Sequence, residues 1–210
     1  MEILITSKTH KGKVACVGGL VIKDNRFVRL LNPGNRDQFV DTDLNIGDVW
    51  DIGFQAREDV EPPHIEDVII NTKKYVGKIE NISDFIINCG ITIYKGAPNH
   101  IFEGTLRWTG SGSGFIEKDE YLPSQSVGFW ISDRDLNLEE DKKHYAYSMN
   151  SIYASNKRFA YVGFEPVADR IPAGTLIRVS LARWWKPENS DMNERCYVQI
   201  SGWYGLNNEE

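Results

Sequence analysis

Arginine and lysine alternate with aromatic side chains at four places in this 210-residue sequence: "NRFVRL" (25–30), "LRW" (106–108), "NKRFAY" (156–161) and "LARWWK" (181–186). Residues two apart on a strand share a face, so Arg26 and Val28 point one way and Phe27 and Arg29 the other. In the same way Arg158 and Ala160 oppose Phe159 and Tyr161. An arginine beside an aromatic ring is a way to hold single-stranded nucleic acid, with bases stacked on the rings and phosphates met by guanidinium groups. The competing reading makes Phe27, Phe159, Trp184 or Trp185 core and the arginines partners in cross-strand ion pairs. A second group of donors, Ser7, Lys8, Thr9, His10, Lys11 and Lys13, lies in "SKTHKGK" (7–13). Such a connection can grip a phosphate or be only a hydrated turn. The candidate nucleic-acid-binding residues are therefore Lys8, Lys11, Lys13, Arg26, Arg29, Arg158, Tyr161 and Arg183.

Catalytic and metal-binding patterns are missing. No GxSxG, HExxH, GxxxxGK[ST] or paired CxxC occurs, and the four histidines (His10, His64, His100, His144) are far apart and read as polar surface or turn residues. The run "REDVEPPHIED" (57–67) offers carboxylates to a divalent cation, but Pro62 and Pro63 make it a loop whose acids are expected to be solvated. Cys16, Cys89 and Cys196 are odd in number and widely spaced, which fits a reducing compartment better than a disulfide framework or a zinc site. These observations predict a non-enzymatic protein with no catalytic residues, no metal and no cofactor. The opening "MEILITSKTHKGK" lacks the apolar core of a signal peptide, and no run approaches a membrane span, so the expectation is a cytoplasmic protein without a membrane partner.

Charge is unevenly spread. The net charge is -6 and the pI about 5.3, so the whole chain does not attract nucleic acid. Yet residues 1–36 carry seven basic side chains against two acids, while residues 37–70 carry ten acids and one arginine. The basic segment is either a solvated face or a functional one.

The elements that must position these residues are mostly strands. Glycine, tryptophan, tyrosine and many β-branched residues favour strands and tight turns. Alternation places strands near 2–7, 14–22, 26–31, 47–55 and 65–70, and again near 126–132, 143–148, 158–164, 175–183 and 195–203. The segment "IGDVWDIGF" (46–54) has a counterpart in "PAGTLIRVSLA" (172–182), matching Gly47 with Gly174, Val49 with Leu176, Trp50 with Ile177, Ile52 with Val179 and Phe54 with Leu181. Upstream, "NRFVRLLNP" pairs in the same order with "KRFAYVGFEP". Two ordered matches predict a duplicated unit. Five short strands without room for crossover helices suit a small Greek-key barrel of the OB type, with an SH3-like barrel as the alternative. The expected organisation is mostly β: a first OB-like barrel over 1–80, a connection over 81–120, and a second OB-like barrel over 121–210. The connection would hold a short helix, "ISDFIINCG" (82–90), with Ser83 as N-cap and Gly90 as its stop. It would continue into the Gly/Ser-rich stretch 110–114, read as a flexible link or wide turn rather than a phosphate loop.

The stretches "ILITSKTHKGKVACVGGL", "RFVRLLNP", "IGDVWDI" and "RCYVQISGWY" resemble the bacterial dual OB-containing domain proteins. The resemblance rests on Ser7, Lys8, Gly12, Cys16, Val17 and Gly18, and on Arg29 in an arginine-bearing strand. It implies two OB folds and a role in nucleic-acid-related or phage-defence systems; no activity follows from it. The acidic balance departs from a general nucleic-acid grip. The leading expectation is a binding module for single-stranded nucleic acid or a nucleotide. The alternative is a protein-interaction subunit that docks a partner enzyme through exposed aromatics and acidic loops.

Overall fold

Ile3 and Ile5 on one side of the first segment, with Leu4 and Thr6 on the other, set the alternation that runs through the first unit. The computed structural model describes residues 1–149 and 155–205, so the end of the expected second domain, 206–210, lies outside the described residues. The chain divides into Met1–Ile91 and Thr92–Glu210.

In the first unit the strands are β1 (Glu2–Lys11), β2 (Val14–Val21), β3 (Phe27–Leu31), β4 (Gln38–Phe39), β5 (Asp48–Ala56) and β6 (Asp67–Lys78). β1 pairs with β2 and β5, β2 with β3, β3 with β6 in parallel, and β6 with β5. Following these neighbours returns to the start, so five strands close a barrel and only the two-residue β4 hangs outside, on β2. Alternate residues fill the inside: Ile3, Ile5, Val17, Val21, Val28, Leu30, Trp50, Ile52, Val68 and Ile70, plugged by Leu44 from a loop. Gly19 lies where a Cβ would meet Ile3 Cγ2 at 2.5 Å, so the close approach of β1 and β2 needs glycine there. β6 runs well past residue 70, as an outer ribbon over Asn71–Lys78 still paired with β5.

The helix α1 (Ile82–Asn88) is capped by Asn81, not Ser83. Asn81 Oδ1 accepts the Asp84 N–H at 3.0 Å, and Ser83 falls inside the first turn. Gly90, at φ +83°, stops it as expected.

In the second unit the strands are β7 (Ile93–Gly96), β8 (Arg107–Trp108), β9 (Gly114–Glu117), β10 (Val127–Ser132), β11 (Leu136–Leu138), β12 (His144–Tyr147), β13 (Lys157–Tyr161), β14 (Arg170–Ile171), β15 (Leu176–Leu181) and β16 (Arg195–Tyr204). They form one sheet with β10, β15, β16, β13, β12 and β11 in succession, the β13–β16 pair again parallel. That is the neighbour order of the barrel, with the first strand split into β10, beside β15, and β11, beside β12. The core is rich in rings, among them Trp130, Tyr145, Tyr147 and Phe159.

Part of the expected 81–120 connection belongs to this sheet instead. β7 pairs with β10 and β9 pairs with β16, because Tyr94, Phe115 and Ile116 bury their side chains there. The Gly/Ser stretch is the β8–β9 turn, closed by Thr109 N–H to Ser113 O at 2.9 Å and Gly112 N–H to Thr109 O at 3.0 Å.

The duplicated turns coincide. Gly47 (φ +91°) donates to Ile5 O at 3.0 Å and Gly174 (φ +84°) to Ser132 O at 2.9 Å, each from the turn into the fourth barrel strand to the first. Val49 then faces Leu4 and Trp50 faces Ile3, as Leu176 faces Ile131 and Ile177 faces Trp130. The match of "NRFVRL" to "KRFAY" picks equivalent strands but slips by one residue. Phe159 points into its core, whereas in β3 it is Val28 and Leu30 that do so.

Candidate nucleic-acid interface

The β1–β2 hairpin pairs Lys11 with Val14, leaving Gly12 (φ +60°) and Lys13 as its exposed tip. Across β2, Gly18 faces Arg29 on the outer surface of the barrel. Arg29 is held on all sides. Its Nε and Nη2 donate to Asp67 Oδ1 and Oδ2 at 2.6 and 2.7 Å, and Nη1 lies 3.4 Å from Asp37 Oδ1 and 3.7 Å from Cys16 Sγ. Arg57 Nη1 shares Asp67 Oδ2 at 3.0 Å, and Lys11 Nζ takes Asp37 Oδ2 at 2.7 Å. The result is one continuous series, Lys11, Asp37, Arg29, Asp67, Arg57. Burial works against the Arg29 charge, but the hydrogen bonds and attraction to Asp67 outweigh it and its pKa rises. Burial also pushes the Cys16 thiol up.

The expected phosphate grip therefore changes character. Arg29 is a braced structural cation, because Asp37 and Asp67 fold onto it. Lys8 Nζ donates to Thr42 O at 3.1 Å, and Lys11 is paired, so the segment 37–42 engages Lys8, Lys11 and Arg29 of the five first-barrel candidates Lys8, Lys11, Lys13, Arg26 and Arg29. Lys13 stays exposed, and Arg26 lies over the Phe54 ring at 5.4 Å, on the opposite face of β3 from Arg29. In the loop 57–67, Glu58, Asp59 and Glu61 are exposed as expected, whereas His64, Glu66 and Asp67 are buried.

The second unit repeats the pattern of an arginine between two carboxylates. Arg158 donates from Nε and Nη2 to Glu139 at 2.8 and 2.5 Å and has Asp141 at 3.5 Å. Tyr161 turns to the core side, its ring 4.8 Å from that of Trp203 and its hydroxyl donating to Glu165 O at 2.8 Å, so it offers no open stacking face of the expected kind. Arg183 is exposed after β15, ahead of Trp184. Glu139, Asp141 and His144 bring ligand-type atoms within 4.8 Å of one another, but the Arg158 guanidinium already supplies their positive charge.

The closed five-strand ring with its parallel third and last strands is the OB arrangement. The model of the dual OB-containing domain, DuOB, matches residues 1–203. The chain belongs to this family. No curated protein and no solved structure matches it.

In this DuOB chain one ligand-sized feature of the first unit was not visible in the sequence. A cavity of about 540 Å³ is lined by Val14, Asn32, Pro33, Asn35, Arg36, Asp37 and Phe39. Phe39, on β4, is 68% exposed. Nothing in the sequence separates an exposed phenylalanine from a core one. The signal that points here is "NPGNRD" (32–37), a turn sequence with an arginine in it. Among the described residues no helix is long and apolar enough to cross a membrane.

Proposed function

We propose that the chain is a non-enzymatic binding module for single-stranded nucleic acid or a nucleotide, bound on the outer side of β2 in the first barrel. The observation that supports it is the local charge. In the series Lys11, Asp37, Arg29, Asp67, Arg57, three cations share two carboxylates, and exposed Lys13 and Arg36 stand beyond them in a protein whose net charge is -6. A focused positive site in an acidic protein selects where an anionic strand lands. Lys11 and Lys13 are the cations that meet it, and Arg29 holds the surface in shape. The resemblance behind the family assignment supports a place in a bacterial defence system, in the cytoplasm. Fluorescence anisotropy of labelled single strands between about 50 and 200 mM salt tests the reading. Wild type should bind with a steep salt slope, and Lys11→Glu with Lys13→Glu should weaken binding and flatten that slope. No binding by wild type at about 50 mM salt rules it out.

One observation favours a second reading, a docking subunit for a partner protein. In the second unit Trp185 is 55% exposed and Met192 40% exposed, among Glu188, Asp191 and Glu194. Binding there should depend weakly on salt.

A further inference from the structure

The turn between β3 and β4 is constructed so that it presents side chains it does not itself use. Asn32 N–H donates to Arg36 O at 2.7 Å and Arg36 N–H to Asn32 O at 3.3 Å, clamping Pro33, Gly34 and Asn35 between them. Gly34 (φ +79°) and Asn35 (φ +58°) are both left-handed, a conformation glycine adopts freely and asparagine tolerates. Asn32 Nδ2 donates to Asp37 O at 3.1 Å, which ties the turn to the ion-pair series. Three groups are left over. Among the described residues the Asn35 carboxamide has no hydrogen-bond partner, and Arg36 uses only Nε, to Pro33 O at 3.1 Å, so both its Nη atoms are unspent. The Phe39 ring, placed by pairing of β4 with Val14, faces solvent. All three residues line the same cavity, whose roughly 540 Å³ is the size of a small-ligand site.

The carboxylate in that lining does not repel an anion. Asp37 Oδ2 is taken by Lys11 and Oδ1 faces Arg29, so its charge is balanced before any ligand arrives. What remains is an aromatic face, an amide that donates and accepts side by side, and a guanidinium fork. An aromatic ring stacks any base, an asparagine carboxamide pairs with the donor and acceptor edge of a base, and an arginine fork fits phosphate oxygens. A peptide without a carboxylate would leave the fork without a matching anion, and an inorganic phosphate would leave the ring and the amide unused.

We propose that this cavity is a single-nucleotide subsite. The base stacks on Phe39 beside Val14 and Pro33, its edge pairs with the Asn35 carboxamide, and its phosphate is met by Arg36 Nη atoms. The inference rests on the nucleic-acid reading above and fixes which nucleotide of a strand is gripped by its base.

The test is isothermal titration of the full chain with the four common 5′-mononucleotides and with ribose 5-phosphate, alongside the labelled-strand titration. At least one mononucleotide should bind about tenfold tighter than ribose 5-phosphate, the stacked base supplying the difference. Phe39→Ala should lose about that factor, Phe39→Trp should keep it, and Arg36→Ala should weaken binding and lower its salt dependence by about one phosphate contact. Asn35→Asp should change the order of preference among the bases. Because these side chains are exposed, thermal melts of the variants should match wild type. Equal binding of Phe39→Ala and wild type, or of ribose 5-phosphate and every mononucleotide, overturns the subsite. If labelled strands still bind and lose affinity in the Lys11, Lys13 double variant, the broader reading survives that result. Wild type that binds neither mononucleotides nor strands overturns both.

Discussion

Arg29 and Asp67 face each other across the parallel pair of β3 and β6, joined by two hydrogen bonds of 2.6 and 2.7 Å. The two strands are the ones whose meeting closes the barrel, so a bidentate charge pair sits on its seam. Removing one member of a buried pair leaves the other charged and unmatched, at a cost of about 3–5 kcal/mol. Asp67→Ala is expected to lower stability by up to that order in urea unfolding, since it removes the pair to Arg57 and both hydrogen bonds from Arg29, which keeps only the longer contact with Asp37. Arg29→Ala should cost less, because Arg57 stays on Asp67.

Trp50 tests the core. It is 8% exposed, packs with Tyr75 edge to face at 5.4 Å, and lies under Lys73 Nζ at 5.2 Å. Trp50→Ala should cost about 3–5 kcal/mol. Its buried Nε1 has no hydrogen-bond partner among the described residues, which carries a desolvation penalty of about 1–3 kcal/mol. Trp50→Phe removes that donor, so its unfolding midpoint should stay far nearer wild type than that of the alanine variant.

A glycine comparison separates a built turn from a loose link. At Gly112 (φ +90°) a Cβ would lie 1.9 Å from Asn156 O, while at Gly110 it meets nothing within 4 Å. Gly112→Ala should lower the melting temperature of the second unit by several degrees, through backbone strain of about 1–3 kcal/mol and the clash. Gly110→Ala should leave it within error. Two equal, small effects would mark the stretch as a flexible connection after all.

Asp141 gives a pH signature. The Lys143 N–H and the His144 side chain hold its carboxyl below the usual 3.8, at about 2. A carboxylate depressed on folding adds stability that is present above its unfolded value near 4 and disappears as pH falls toward 2. A carbon-detected NMR titration should place its midpoint low, and His144→Ala should move that midpoint up. The acid limb of the melting curve between about pH 4 and 2 should flatten in Asp141→Asn.

The long strands were legible because alternation is a local property. β2, β3, β5, β10, β15 and β16 fall within about two residues of where apolar spacing put them, while β13 ends three residues sooner and β1 and β6 run on past their expected ends. β4, β7, β8, β9, β11 and β14 have two to four residues each, too few to show a period, and they exist through partners far along the chain. The same locality limits the site. That Arg29 would be braced depends on Asp37 and Asp67, 8 and 38 residues away, and no spacing rule links them to it. Asn35 and Arg36 do not stand out in the sequence, because a Pro-Gly-Asn turn is commonplace until its neighbours are known to form a cavity.

In both units the third strand pairs in parallel with the last, β3 with β6 and β13 with β16, and this bears on how a ribosome can make the protein. Each barrel-like sheet must wait for its final strand, since parallel pairing across a long stretch of chain is slow to find. For the first unit that wait ends once β6 has emerged, and it can close while the rest is still being synthesised. β16 keeps the second unit open longer, because β15, β13 and β9 all pair with it. A nascent chain halted before residue 195 would carry one finished barrel followed by three unsatisfied strand edges, the state in which chaperones would find it and in which it would be most prone to aggregate.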